Sequence, residues 1–542
     1  MVSTCKSDDL DCLVIGSGPA AIAAAMALIA KGRKVTILDV GTKLEDERRT
    51  TIDRMALQNP EDWDAGDLSS ITGREHSDSE PIHSKTAYGS SFSFDHRGEA
   101  VDVRWVNQGG FNYSLAVGGL SNVWGSAMLP YRQKDIEGWP IRLDDLEDHY
   151  RAVMDFVPCT RKEDELESIL PCYSQQQNSI NLSKQGDSLL RDLQRSNPQL
   201  RKSGIYHGQS RLAIRASDSD GQSHCQYCSL CLSGCPYGLI YSSAHTLRNL
   251  LADKKVEYLS NHFVEKLESI GNKVIVTGRN LETGTPFTIH AGRVFLGAGV
   301  LPTAKIVLNS LGLFETPVAL LDSQYFIYPL LRLRKPEAVE SERMHTTSQV
   351  VMELDDARIS PYLVHLQIYG YSSFLHAELN RTFLKWFLKI PWFRRQFLGR
   401  LMIAQGFMHS DESGDVELTL KKSPTPGSFL SAKARRSGHT LATTLKVGLK
   451  LLRNTLNTRT LPLLPGLQFP KPGSGYHSGG TFPMRENPGK RETDILGRLP
   501  SLQRVHLVDS SVFPSIPATS ITMSVMANAH RIATLASTLD ES

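Results

Sequence analysis

No run of apolar residues in this 542-residue chain reaches the roughly 18 that a bilayer-spanning helix needs, so no transmembrane helix is expected. An excess of one charge sign is also missing. Sixty basic and 57 acidic residues leave a formal net charge of +3, which gives no general case for nucleic-acid binding. There are no internal repeats and no low-complexity tract. The N-terminal stretch MVSTCKSDDLDCLVIGSG lacks a basic region followed by an apolar core and a cleavage site, so a cytoplasmic location is the simplest expectation. Cysteine is sparse, eight residues in all. Cys5, Cys12, Cys159 and Cys172 are scattered, and the other four crowd between Cys225 and Cys235. A reducing cytoplasm argues against a disulfide framework for that group.

What is present is ordinary for a soluble globular protein: 40% hydrophobic and 22% charged residues. The length exceeds what one core accommodates, so two intimately packed domains are expected. Residues 10–15 (LDCLVI) read as a strand, 19–31 as an alanine-rich helix and 34–39 (KVTILD) as a second strand, together one βαβ unit. Polar residues 42–110 read as extended loops, and glycine- and aromatic-rich 111–140 as a shaped loop. Helices are expected over 143–157, 183–197, 240–252 and 436–457. Strands are expected at 256–259 and within 262–296, with a turn at Gly271 and Asn272. From 320 to 370 the pattern has period two (LLRLR, SQVVMEL, YLVHLQIYG), predicting antiparallel strands exposed on one face. The last sixty residues return to strand, turn and helix.

Gly16-Ser17-Gly18-Pro19-Ala20-Ala21 follows the first strand and opens the first helix, in the G-x-G-x-x-G/A form of a dinucleotide fingerprint. Gly16 allows the tight turn, Gly18 lets backbone approach a pyrophosphate, and Ala21 permits close helix–strand packing. The helix N-terminus offers free N–H groups and a positive dipole end to phosphate. Asp39, about twenty residues on at the end of the second strand, is placed to accept from a ribose hydroxyl. A second glycine turn, Gly297-Ala298-Gly299, ends the strand RVFLGAG, with a helix expected from about Pro302. On its own it is a strand–helix turn; beside the first, it suits a long dinucleotide spanning both.

Near the C-terminus, His477 precedes the pair Gly479 and Gly480 in YHSGGT. In isolation such a histidine is a satisfied core residue, but the glycines allow close backbone approach to a ligand beside the ring. Asp509 and Ser510 then end a strand at the start of a proline-bounded loop and an apolar helix.

With these segments in order, the chain resembles the glucose–methanol–choline (GMC) oxidoreductases. The matching motifs are GSGPAA with Asp39, VGGLSNVWG (117–125), LGAG (296–299), YHSGGTFPM (476–484) and LVDSSVFPSIPATSITMSVMANAHRIA (507–533). They span nearly the full length and are dense only at the ends. The resemblance implies an α/β fold: an FAD-binding Rossmann-type domain (1–41, 100–130, 210–310 and 470–542) and a substrate domain on an antiparallel sheet with helices (42–99, 131–209 and 311–469). It implies oxidation of a CH–OH group on a sugar, polyol or lipid-linked alcohol by hydride transfer to flavin N5, with His477 as base. Gly118, Gly119, Ser121 and Asn122 would lie along the cofactor, Val264 at its adenine end, and Asp509 and Ser510 at its ribityl–phosphate region. The family places His or Asn as a second catalytic residue where this chain has Ser520. A hydroxyl is shorter and not basic, so His477 would act alone or with help from Thr519 or Thr522. This departure keeps open two other readings, an epimerase-type enzyme that oxidises and re-reduces a sugar, and a flavoprotein-like scaffold without chemistry. The electron acceptor is not specified by the sequence.

Two segments stand apart. Cys225, Cys228, Cys231 and Cys235, followed by Pro236, match the C-x2-C-x2-C-x3-C-P spacing of iron–sulfur ligands. An iron–sulfur cluster, a zinc ion and metal-free packed thiols are the three readings. Residues 381–401 (RTFLKWFLKIPWFRRQFLGRL) interleave Arg381, Lys385, Lys389, Arg394, Arg395 and Arg400 with aromatic and aliphatic residues and no acid, with Pro391 dividing the run into two short helices. Such a segment lies on an anionic membrane surface or packs as a hairpin on the substrate domain, its basic stems covering apolar side chains.

Overall fold

The computed structural model describes residues 10–73, 86–94, 100–217, 224–372, 389–423 and 427–539. Among them the strands form three sheets. In the first, Leu10–Ile15 lies between Val35–Leu38 and the long strand Pro286–Leu296, all parallel, with Val256–Leu259 on the outer edge. The strands Val35–Leu38 and Leu10–Ile15 are apolar and buried, as a sheet covered on both faces requires. The long strand changes partners near Ala291. Before it, the strand pairs antiparallel with Lys273–Asn280, which continues to His262–Ile270; after it, with the late strand Val505–Leu507. The first helix, Pro19–Ala30, is so rich in alanine that the closing helix, Ile521–Thr538, packs closely against it; Arg33 also donates to the carbonyl of Ser537 (3.1 Å).

The second sheet is antiparallel, in the order Thr460–Pro462, Tyr325–Arg332, Leu401–Phe407, Val364–Tyr369, Val350–Leu354 and Ile205–Gln209. Its alternation separates two destinations. Phe326, Tyr328, Leu330, Leu366, Ile368, Met402 and Ala404 pack under Leu189, Leu193, Val447 and Leu451 from helices Lys184–Arg195 and His439–Arg453. Tyr325, Ile327, Pro329, Gln367, Tyr369, Leu401, Ile403, Gln405 and Phe407 face a large internal cavity instead. The period-two pattern therefore does not mark a solvent-exposed face, as expected from the sequence. Both faces are buried, and the polar residues on one of them line a binding space.

A third sheet joins Ser478–Gly479, Pro317–Asp322, Asp415–Lys422, Ser428–Arg435 and Val103–Trp105. Val318, Leu320, Val416, Leu418, Leu430 and Ala432 belong to the same core as the first sheet. The region expected as the substrate domain from 311 onward thus begins with strands that buttress the first sheet. Residues 42–110, expected as loops, include the helices Asp46–Ala56 and Ala65–Thr72. Both are short and bury little apolar surface, which is why their periodicity is weak. No helix among the described residues is long and apolar enough to cross a membrane.

Arg332 is the largest fully buried side chain and ties the second sheet to its helices. It donates to Asp192 Oδ2 (2.5 Å), the Thr458 carbonyl (2.7 Å) and Thr460 Oγ1 (2.8 Å). Asp192→Ala leaves that guanidinium without its counter-ion and is expected to cost about 3–5 kcal/mol in denaturant unfolding. A loss below about 1 kcal/mol would show that water reaches the pair.

Candidate functional site

The site is built where two strand-to-helix turns meet. Gly16 donates its N–H to Leu38 (2.8 Å) and Gly297 donates to Ile15 (2.9 Å). Gly16 has φ +101°, and a Cβ there would stand 2.5 Å from the Gly297 carbonyl oxygen. A Cβ on Gly297 would in turn lie 3.0 Å from the Ala21 Cβ. The first helix, both glycine turns and Ala21 are therefore one interlocked contact, and Ala21 acts by packing rather than by lining the cavity. Gly18 is different. Its backbone is extended and a Cβ would meet nothing within 4 Å, because it would point into the cavity that Gly18 lines. That is the space a phosphate needs. The helix has no side-chain cap and no acid in its first turn, so its leading N–H groups are left for an anion.

Asp39 closes one end. Its Oδ2 accepts from the Ser17 hydroxyl and from Tyr258 (3.1 Å), and Ser17 Oγ accepts from the Gly118 N–H (3.0 Å). Burial pushes the Asp39 carboxyl up to about 6, against the Ser17 and Tyr258 bonds that hold it down. Gly119, Ser121 and Val264 line the same cavity as Gly16, Gly18, Asp39, Gly297, Gly299, Asp509 and Ser510. Gly118 and Asn122, expected along the cofactor, do not. Asn122 donates to the carbonyls of Val117 and Gly119 (2.9 Å each) and accepts from Ser242, so it holds the loop's shape. Asp509 Oδ2 accepts from the Gly299 N–H (3.0 Å) and Thr303 Oγ1 (2.6 Å), its Oδ1 accepts from Ser511 N–H (3.0 Å), and burial raises its carboxyl.

At the other end of the cavity stands His477. Its ring stacks on Phe407 with centroids 4.7 Å apart, and Nδ1 is buried without a hydrogen-bond partner among the described residues. Burial first, then the nearby His365, pushes the imidazole down to about 3. Ser323 N–H donates to the His477 carbonyl (2.9 Å), and Asp322, raised by burial to about 7, accepts from the N–H groups of Gly473 and Gly475 just before it. Ser520 also lines the cavity, its hydroxyl accepting from Leu129 N–H (3.2 Å). Thr522 lines it too, whereas Thr519 donates to the Pro130 carbonyl (3.3 Å).

A polar chain missed by sequence reasoning reaches the cavity along strand Val364–Tyr369. Glu353 Oε1 meets His365 Nδ1 at 2.6 Å, Gln367 Nε2 meets His365 Nε2 at 3.1 Å, and the Tyr369 hydroxyl donates to Gln367 Oε1 (2.9 Å). The amide donates to Nε2, so Nδ1 carries the imidazole proton and donates to Glu353. The signal was legible as polar residues at every second position of YLVHLQIYG.

The four clustered cysteines converge on a separate cavity of about 20 Å³, with His345 on its wall. His345 Nε2 is buried without a partner, and Thr346 N–H donates to Cys231 Sγ (3.4 Å). All four cysteines are free thiols, and among the described residues no three His, Cys, Asp or Glu side chains stand at the spacing of a bound metal ion. Of the basic aromatic segment, 381–388 lies outside the described residues. The rest forms a helix, Pro391–Leu398, that starts at Pro391.

No family model matches the chain, and no curated protein matches it. Solved structures do. The fold is the one that the resemblance to the GMC oxidoreductases implies, a Rossmann-type domain joined to an antiparallel sheet with helices. Pyridoxine 4-oxidase from Mesorbium loti superposes with TM-score 0.58 at 14% identity over 97% of this chain and 99% of its own. A formate oxidase structure gives TM-score 0.60 at 13% identity, and a variant of the Aspergillus oryzae RIB40 formate oxidase gives 0.58 at 13%, each covering 98% of both chains.

Asp509→Ala strips the shared acceptor from Gly299, Thr303 and Ser511. The expected cost is about 1–3 kcal/mol in urea unfolding. An unchanged midpoint would mean that the three donors find water.

Proposed function

We propose that the chain is an FAD-dependent oxidoreductase acting on a CH–OH group. The observation that carries this is one continuous cavity of about 1010 Å³ that joins the Gly16–Gly18 turn to His477. Its lining fits FAD: uncapped helix N–H groups and Gly18 for the pyrophosphate, Asp39 for a ribose, Val264 at the adenine end, Asp509 and Ser510 along the ribityl chain. The superposed oxidases, one of them known with modified FAD, support the assignment. Bound there, a flavin would supply the redox chemistry as the acceptor for the hydride of the alcohol carbon.

His477 takes the hydroxyl proton through Nε2, because Nδ1 is sealed from the cavity. Burial keeps the imidazole neutral, so it is ready as a base throughout the neutral range. Ser520 Oγ already accepts from Leu129 and has its own proton left to donate to the substrate oxygen. Gln367 and Tyr369, fixed by the Glu353–His365 pair, orient the alcohol from the sheet side.

His477→Ala is expected to retain bound FAD and to slow its reduction by an alcohol roughly a hundredfold or more, measured as bleaching of the flavin band under anaerobic conditions. The sign of the pH effect follows from the lowered imidazole. Protonation abolishes the base only as pH falls through about 3, so the rate of flavin reduction shows no His477 limb between pH 7 and 5. A limb centred near 6.5 that disappears in the variant would contradict this.

The cysteine cavity supports a finer reading, an iron–sulfur cluster held by Cys225, Cys228, Cys231 and Cys235. Four free thiols in the C-x2-C-x2-C-x3-C-P order converge on one space. Such a cluster supplies one-electron transfer. Leu232 and Thr346, adjacent in sequence to Cys231 and His345, line the main cavity, so the two spaces share a wall. Anaerobically purified protein is expected to contain iron and acid-labile sulfide, both lost in Cys235→Ser. Protein with full FAD and no iron would remove the cluster.

A further inference from the structure

The main cavity extends well beyond what surrounds His477. Across the second sheet the register stacks Tyr325 on Phe407, Ile327 on Gln405, Pro329 on Ile403 and Leu331 on Leu401. Going from Phe407, against which His477 stacks, to Leu401 is six residues of strand, about 20 Å. On strand Leu401–Phe407 the last polar side chain facing the cavity is Gln405. The far part is lined by Pro329, Leu401, Ile403, Leu463, Pro465 and Phe397. This arm is apolar except for Ser372 and reaches the helix Pro391–Leu398 at Phe397.

The surface around that end is unusual. On the helix, Trp392 is 71% exposed, and Ile390 and the basic Lys389 and Arg395 are exposed beside it. Leu333, also exposed, sits where Arg332 N–H bonds to the Arg400 carbonyl and its own N–H to the Arg459 carbonyl (2.9 Å each). Next in the sheet comes Thr460–Pro462, preceded by the helix His439–Arg453 and the turn Thr455–Thr458. That helix buries Thr444, Val447 and Leu451, and turns outward Leu441, Leu445, Leu449 and Leu452, with Leu456 (84% exposed) continuing the row. The outward leucines recur every three to four residues, so they form one stripe. Lys446 and Arg453 are exposed alongside it. Residues 418–485 contain eleven Lys or Arg and no Asp or Glu, in a chain whose net charge is only +3. A water-facing leucine stripe at this density costs solubility unless something covers it.

We propose that this face docks on an anionic lipid bilayer and that the substrate is an alcohol at the end of a long apolar chain, drawn from the bilayer into the arm. Basic side chains flanking an apolar stripe complement a surface of acidic headgroups over hydrocarbon. Leu456, Leu333 and the Trp392 helix stand at the end of the sheet where the arm's last residues lie, and the rest of the stripe runs back from there along the helix that covers the sheet's other face, so a chain leaving the bilayer at this end enters apolar surroundings. The substrate half rests on the FAD-dependent reading above; the docking half does not.

The test uses the holoenzyme in flotation with phosphatidylcholine vesicles, with and without about one-third phosphatidylserine. Binding is expected to the anionic vesicles only, to weaken in high salt, and to fall at least tenfold in the triple variant Leu445→Ser, Leu449→Ser, Leu456→Ser. These residues are on the surface, so the variant is expected to keep its flavin and its bleaching by 1-butanol. Absence of wild-type binding, or equal binding by the variant, overturns the docking surface. So does sedimentation of the wild type, but not the variant, as a dimer, which would give the stripe to a second copy. With 1-hexadecanol in the vesicles, the flavin is expected to bleach at least tenfold faster than with an equal amount of 1-butanol. Faster bleaching by butanol overturns the substrate class alone. Flotation needs no turnover, so a colourless protein that still floats fails the FAD reading and leaves the docking surface standing.

Discussion

One steric contact organises the molecule: the meeting of Gly16, Gly297 and Ala21. Two parallel strands end side by side, each must turn into a helix, and there is no room for a Cβ at either turn. That closeness places the uncapped end of the first helix and the Gly299–Asp509 bond at one mouth. The loop after Gly118 is tied in through Ser17, which also holds Asp39. The anion-binding end of the cavity is thus set by backbone packing, and its few polar side chains mostly hold one another.

The opposite end is governed by desolvation. His477 and Asp322 are deep enough that each keeps its neutral form well outside its ordinary range, the imidazole pushed down and the carboxyl up. Glu353 is likewise raised by burial, and its hydrogen bond with His365 anchors Gln367 and Tyr369 on the cavity wall. A neutral, water-poor wall is what the proposed alcohol oxidation would need, with no competing charge beside the reacting carbon.

Much of the nucleotide end was legible in the sequence, because its signals are local. A strand, GSGPAA and an acid at the next strand's end specify a backbone shape whatever the rest of the chain does. Gly118 and Asn122 belong to a motif expected to lie along the cofactor, yet which of its residues face the cavity depends on a 3-10 turn that residue types do not reveal. The substrate sheet was visible as period two, but its polar face was assigned to solvent. Alternation records that two faces differ and does not say whether water or a cavity lies beyond. Asp322 left no signal, since its partners, Gly473 and Gly475, lie some 150 residues away in the chain. The leucine stripe escaped for the opposite reason: helical periodicity alone places such residues in a core.

The long strand Pro286–Leu296 carries a consequence for how the protein is made. Its final residues, 294–296, find their outer neighbour only in Val505–Leu507, and the first helix acquires its cover only from the closing helix. During synthesis the nucleotide domain therefore waits, one sheet edge unpaired and an alanine surface bare, while some two hundred further residues emerge. Sequential, N-to-C completion of domains is unavailable to this topology. On the FAD reading proposed above, the cofactor is captured only once the closing helix has emerged, and chaperone protection of the nascent edge is the natural demand this topology makes on the cell.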